Sequence, residues 1–297
     1  QVLEMLENFL PNNTKLLEMK GRNSKFDTVY YSNKNGEYQD LDICVLIDRN
    51  SASGSEIFAG VLQDYDKAVI IGEHSFGKGT MQRIWKMSDG SGFRITLAEY
   101  KTPSGRSIQK PLDVAGKTLI DPALNLQLGE ERTKNLEEMI KEAGGQTQLP
   151  IFQSKSGRTI IGGGGVFPDI FVKNDTLTLL TRVSIQKGIF LEFIYSYLNK
   201  EKENIIKRYK DDYQKFCEDF ELSDQVLEDY HKYSVSRRIW NDEYFEKDKN
   251  YIRNYLKSLI AYTLWDNNGF RYCLARFDNP IKIAKESFIN YKKILKK

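Results

Sequence analysis

The sequence predicts an α/β fold in which a parallel crossover core is followed by a helical region. Three observations predict it. Two short apolar runs, Ile43-Cys44-Val45-Leu46-Ile47 and Ala68-Val69-Ile70-Ile71, are bounded by turn residues and read as buried strands. Between them, residues 56–62 carry apolar side chains at helical spacing. Beyond Asp175 the pattern changes to long segments in which charged and apolar residues alternate with a helical period.

Taken in order, the chain opens with an amphipathic helix end (Val2, Leu3, Leu6, Phe9), followed by strand-like segments over 15–19 and 26–31 and a turn at Gly36. The core then runs strand, serine-rich turn, helix, strand and a glycine-rich loop holding Lys78. A parallel crossover places both turns at the carboxyl ends of neighbouring strands, on one edge of the sheet. Ser53 and Lys78, distant in sequence, thereby come within reach of each other. Strands are expected at 81–87 and 92–100, then a loop with a helical insertion at 136–143 and a return strand at 168–172. Helices are expected over 177–210, 223–234, 242–264 and 281–297. The run of glycines from Gly162 to Gly165 lacks the strand-to-helix context of a dinucleotide fingerprint and reads as a tight backbone passage close to the core.

Composition narrows the function classes. Lysine and arginine exceed aspartate and glutamate by three, which points to neither nucleic acid nor a membrane surface as partner. No apolar stretch is long enough to span a membrane. The three cysteines, Cys44, Cys217 and Cys273, have no metal-ligand spacing and read as no disulfide framework, with Cys44 a small apolar filler in its strand. No cofactor or metal is expected. The only histidines are His74 and His231; His74, near Lys78, reads as a surface loop residue. The lysines of the last six residues read as solvated.

A serine hydroxyl needs a neighbouring base to take its proton as it attacks. A lysine serves as that base only when neutral, a form that burial favours, and Phe76 with the flanking apolar strands is expected to supply the pocket. Ser53 is also followed three residues later by Glu56, a capping-box pattern at a helix start. The two readings are compatible, because a helix N-terminus favours negative charge developing beside it. Spacing alone does not choose among Ser51, Ser53 and Ser55. The loop Gly77-Lys78-Gly79-Thr80 lacks the spacing of a phosphate-binding loop.

Several motifs in one order carry a resemblance: Asn50-Ser51-Ala52-Ser53-Gly54-Ser55-Glu56-Ile57, Phe76-Gly77-Lys78-Gly79 with Gln82, Ser88-Asp89-Gly90-Ser91, Tyr100-Lys101-Thr102-Pro103-Ser104-Gly105-Arg106-Ser107-Ile108-Gln109, and Gly164-Gly165-Val166-Phe167-Pro168-Asp169. Over roughly residues 38–172 the chain resembles the carboxy-terminal processing peptidases, or tail-specific proteases. The resemblance implies a ClpP/crotonase-like α/β core, Ser53 as nucleophile, Lys78 as general base, Gln82 as the residue orienting the lysine, and the Gly54 N–H as an oxyanion donor. It implies an endopeptidase cleaving exported polypeptides near their C-termini, in the bacterial cell envelope. The tail resembles, more weakly, the helical extension of Bacteroidetes-type members. Residues 1–37 are expected to be a remnant of the N-terminal part of the peptidase domain, 38–172 its catalytic core and 173–297 the helical extension.

The family pattern has a glycine-rich segment and a PDZ domain upstream of the point matched by Gln1. The expectation is an N-terminally truncated chain with one oxyanion donor, nearly inactive as this fragment, since a lost donor costs about 100- to 1000-fold in turnover. The alternatives are a non-catalytic peptide-binding or scaffold module of the same fold, and an acyl-CoA enzyme of crotonase type, which needs no Ser-Lys pair. Polypeptide substrates are the expected partners, and a homo-oligomer is left open.

Overall fold

The computed structural model describes residues 1–111, 133–135, 150–174 and 176–295. The helical insertion expected at 136–143 lies outside the described residues. The chain divides into two compact units, one of residues 1–174 and 283–297 and the other of residues 175–282.

The first unit holds α1 (Val2–Glu7), β1 (Lys15–Gly21), β2 (Thr28–Tyr31), β3 (Ile43–Ile47), α2 (Gly54–Asp64), β4 (Ala68–Gly72), β5 (Thr80–Lys86), β6 (Gly92–Lys101), β7 (Thr133–Asn135), β8 (Ile151–Gln153), β9 (Thr159–Ile161) and β10 (Ile170–Val172). One sheet has the order β3-β4-β10-β7, with β3, β4 and β10 parallel and β7 antiparallel. A second, antiparallel sheet has the order β2-β1-β6-β5, and β8 pairs with β9. The α/β core is therefore as expected.

Strand β4 is buried at every residue, which explains its unbroken apolar run, since a parallel strand covered on both faces has no polar side to show. Ala68 and Ile70 pack with Ile57, Val61 and Leu62 of α2. Val69 and Ile71 face the other way, against Val172 and the C-terminal residues Ala284, Tyr291 and Leu295. Each large aliphatic side chain so buried contributes about 1.5–3 kcal/mol. The Tyr291 hydroxyl accepts from the Ile43 N–H (2.8 Å) and shares its one proton between the carbonyls of Ile43 (3.0 Å) and Lys67 (2.9 Å). It fastens the C-terminal segment to the amino ends of β3 and β4.

The second unit is helical: α3 (Leu179–Gln186), α4 (Ile189–Tyr209), α5 (Tyr213–Asp219), α6 (Asp224–Ser236) and α7 (Asp242–Phe277). The helix expected over 177–210 is two, because Gly188 between them takes φ +70°, a left-handed turn that glycine adopts without penalty. The helix expected over 242–264 ends where expected: the backbone leaves helical geometry at Trp265 and Asp266, and a second helical stretch, not expected, runs on to Phe277. The short α5 was not expected at all. The last expected helix is instead α8 (Asn279–Ser287), a 3₁₀ turn and α9 (Tyr291–Ile294).

Within the helical unit Phe190, Phe193, Tyr230, Phe216 and Leu256 build an aromatic-rich core. Phe190 stacks on Tyr230 with ring centroids 4.9 Å apart. Cys217 and Cys273 form a disulfide, with Cα atoms 5.1 Å apart, which corrects the expectation of unpaired cysteines. Fifty-six residues separate them in sequence, so only the packing of α5 beside the end of α7 brings them together. Among the described residues no helix is long and apolar enough to cross a membrane.

Candidate active site

Ile47 and Gly72, the last residues of β3 and β4, stand opposite each other in the parallel register, so the loops that follow leave the sheet at the same edge. In the first loop the Asp48 carboxylate accepts from the backbone N–H groups of Asn50 and Ser51 and from the Ser51 hydroxyl. Burial opposes ionisation of Asp48, but these bonds outweigh it and hold its carboxyl below the usual range. Ser51 is thereby committed to a local turn. Ser55 is exposed on the first turn of α2. Ser53, at the N-cap of α2, has φ +56° and ψ −112°, a backbone conformation sparsely populated by residues other than glycine. Backbone geometry thus separates three serines that spacing left equivalent.

Glu56 joins the two loops. Its side chain is fully buried, and its carboxylate accepts four hydrogen bonds. Oε2 accepts from the N–H of Ser53 (2.8 Å) and the N–H of Lys78 (2.9 Å). Oε1 accepts from the Ser75 hydroxyl (2.5 Å) and the N–H of Gly77 (2.6 Å). A single oxygen atom therefore fixes the backbone of Ser53 and that of Lys78 to the same few ångström. Further ties reinforce it: the Phe76 N–H donates to the Ser51 carbonyl (3.0 Å), and Arg49 forks onto Glu73 with two bonds of 3.1 Å. The sequence marked Glu56 only as a capping residue. Its buried position opposite a loop twenty residues on left no signal beyond that.

Lys78 is half-buried, and its ammonium makes no hydrogen bond or ion pair with a described residue. No hydrogen bond joins it to the Ser53 hydroxyl. Gln82 is exposed on β5, and its amide donates to the Thr96 hydroxyl at 3.4 Å rather than meeting the lysine. Phe76 is 55 % exposed, so it does not wall the lysine as expected; its N–H is held to the first loop while its ring turns outward. His74, expected on the surface, is buried: its ring stacks on Phe167 and its Nε2 lies 2.5 Å from the Gly164 carbonyl. The Gly54 N–H is the first of α2, where no helical acceptor exists for it.

The glycine run passes close to this assembly, as expected. Gly165 has φ +79°, and a side chain there would meet His74 Nε2 and Ser75 Oγ at under 3 Å. Of the remaining motif residues, Arg106 and Asp169 lie buried against α2 and β4. Arg106, 1 % exposed, pairs with Asp64 and donates to the Gly60 carbonyl and Gln63 of α2. Arg158 pairs with Asp66 (2.7 Å) and Asp169 (2.6 Å), and Asp169 also accepts from the Ile70 N–H of β4. These buried charges hold α2 and β4 in place. Among the described residues no cluster of His, Cys, Asp and Glu could hold a metal ion.

Residues 1–117 match the family model of peptidase family S41, and residues 180–266 match a family of unknown function (DUF8443). The carboxy-terminal-processing protease of Bartonella bacilliformis is 43% identical over 110 residues, 37% of this chain and 25% of that protein. The carboxyl-terminal-processing protease of Synechocystis sp. is 46% identical over 77 residues, 26% of this chain and 18% of that protein. Among solved structures, a photosystem II D1 C-terminal processing protease is 32% identical, over 36% of this chain and 28% of that one, with a TM-score of 0.33. The chain thus spans a quarter or less of the length of the curated relatives named here. The resemblance to carboxy-terminal processing peptidases drawn from the motifs is borne out.

Proposed function

We propose that the sheet-bearing unit is the catalytic part of a serine endopeptidase that cleaves exported polypeptides near their C-termini. The observation that carries this reading is the Glu56 carboxylate, which holds the backbones of Ser53 and Lys78 on one oxygen at the carboxyl edge of β3 and β4. Ser53 Oγ attacks the scissile carbonyl and its proton passes to the neutral Lys78 amine. The developing oxyanion accepts from the Gly54 N–H at the start of α2, where the helix dipole also favours it. Lys78 then returns the proton to the leaving amine, and water hydrolyses the acyl-enzyme. Gln82, four residues past the lysine, is the residue proposed to orient the amine. The relatives' names supply the substrate class, and the Cys217–Cys273 disulfide favours an oxidising compartment such as the bacterial envelope.

A second reading, a non-catalytic peptide-binding module, draws support from the Gln82 amide standing on Thr96. Peptidase assays on an unstructured polypeptide separate the two. Ser53→Ala should reduce turnover to background, and Lys78→Arg should lose more than about a thousandfold, because a guanidinium does not deprotonate. Near-normal activity of Lys78→Arg would rule out the lysine base, and peptide binding without cleavage by the unaltered protein would establish the binding module.

A further inference from the structure

The C-terminal segment buries one side and bares the other. Ala284, Ser287, Tyr291 and Leu295, three or four residues apart, are buried, and the apolar ones pack with Val69, Ile71 and Val172 of the first sheet. Besides the Tyr291 hydroxyl, the Ser156 hydroxyl donates to the Leu295 carbonyl (3.3 Å), and the Cys44 thiol faces the Ala284 carbonyl (3.7 Å). The segment is thus pinned to the sheet-bearing unit, and its outer side is held in place. That side carries Phe288 and Ile289, in the 3₁₀ turn between α8 and α9, with Lys285, Lys292 and Lys293 exposed on either side of them. Ile289 is 83 % exposed and Phe288 46 %.

A lone exposed aliphatic residue is ordinary. Here two large apolar side chains adjoin, and the Phe288 ring is steadied against Tyr291, with centroids 5.9 Å apart. The carboxylates nearby are Glu286 on the same segment and Asp42, whose charge acts on the Tyr291 phenol, so the lysines are in excess. Over the whole chain basic residues exceed acidic ones by only three, which hides this local surplus from composition. Apolar side chains flanked by lysines fit a bilayer surface: the apolar pair passes below the headgroups while the ammonium groups stay with the phosphates. A nucleic acid offers phosphates but nothing that covers an isoleucine. We propose that the Phe288–Ile289 turn and its flanking lysines dock the sheet-bearing unit on an anionic bilayer surface. This goes beyond the peptidase reading and does not depend on it. Tyr291 meets Ile43 and Lys67 at the amino ends of β3 and β4, whereas Ser53 and Lys78 follow the carboxyl ends. Those ends are about 13 Å apart along strands of this length, so the anchor stands away from the candidate active site.

The test uses the full chain and vesicles of phosphatidylcholine, alone or with an equal share of phosphatidylglycerol. Co-sedimentation should show binding to the anionic vesicles at least about tenfold tighter than to the neutral ones, and weaker in about 0.5 M salt. Ile289→Ser and, separately, Lys292→Glu with Lys293→Glu should each weaken it about tenfold. These residues are exposed, and circular dichroism with thermal melting checks that the fold is kept. Ile289→Trp gives a second readout: its added emission should shift to the blue with anionic vesicles and stay unchanged with neutral ones. No binding, equal binding to both vesicle types, indifference to Ile289→Ser, or no shift in the Ile289→Trp emission would overturn the proposal. Sensitivity to the lysine pair alone, with equally tight binding to soluble polyglutamate, would also overturn it and assign the patch to an acidic protein.

Discussion

The two units fix their backbones by different physical means. The sheet-bearing unit buries charge: Arg106 against Asp64, Arg158 against Asp66 and Asp169, and Glu56 beneath four donors. The helical unit buries aromatic rings around a disulfide; its buried charges, Asp248 and Lys257, each serve a backbone group, the Thr178 N–H and the Cys217 carbonyl, and its ion pairs, such as Arg253 with Asp224 and Arg276 with Glu218, lie at the surface. Helices satisfy their own peptide groups except at their ends, so apolar contact does most of the holding and buried charge serves only a few end groups. Loops such as 48–53 and 73–79 have unpaired N–H groups that a buried carboxylate must accept. Polar pins of that kind fix loop positions closely, which the nucleophile and base proposed at Ser53 and Lys78 require and a helical bundle does not.

The comparison can be broken most directly at Arg158. Arg158→Met should destabilise the sheet-bearing unit by about 3–5 kcal/mol, because it leaves Asp66 and Asp169 buried without their partner. Chemical denaturation monitored by circular dichroism would measure it, and a loss under about 1 kcal/mol would show the network to be dispensable. Glu56→Gln should follow, at about 2–4 kcal/mol, since an amide nitrogen would face N–H donors. Its sharper signature is functional: labelling of Ser53 by a fluorophosphonate should slow more than the stability loss explains.

Removing the disulfide tests the other half. Cys217→Ala with Cys273→Ala should cost about 2–4 kcal/mol, confined to the helical unit, with Ser53 labelling unchanged. Hydrogen exchange resolved by segment would show whether the loss spreads to residues 43–79.

The smallest effect belongs to Tyr291. Tyr291→Phe removes a hydroxyl that serves three backbone groups and should cost about 1 kcal/mol. Burial pushes the Tyr291 phenol up to about 12. Unfolded, it titrates near 10, so between those values the unfolded chain has lost a proton that the folded one retains, and stability falls as pH rises. The contribution is complete below pH of about 10. Tyr65, pushed up to about 12 by burial, titrates in the same window, so Tyr291→Phe should flatten the alkaline fall in stability without abolishing it. Thermal melts across that window would show it.

The sequence by itself determined the crossover core, because local apolar runs and turn residues report strands and helices that neighbours in sequence make. Strands β1 to β6 and helices α2 and α6 stand within a few residues of where periodicity put them. It also determined the peptidase resemblance, which lives in short contiguous motifs. The tertiary structure decided what depends on residues far apart in the chain. It gave Ser53 a positive φ, and it made Glu56, which caps α2 as expected, also the joint between two loops. It moved Phe76 outward and His74 inward, and it sent the Gln82 amide to Thr96. It paired Cys217 with Cys273, and it returned residues 283–297 to the first sheet, where Tyr291 finds its partners. Hydrophobic period encodes which face of an element is buried. It does not encode which distant donor meets which acceptor, because that is settled only when the elements pack.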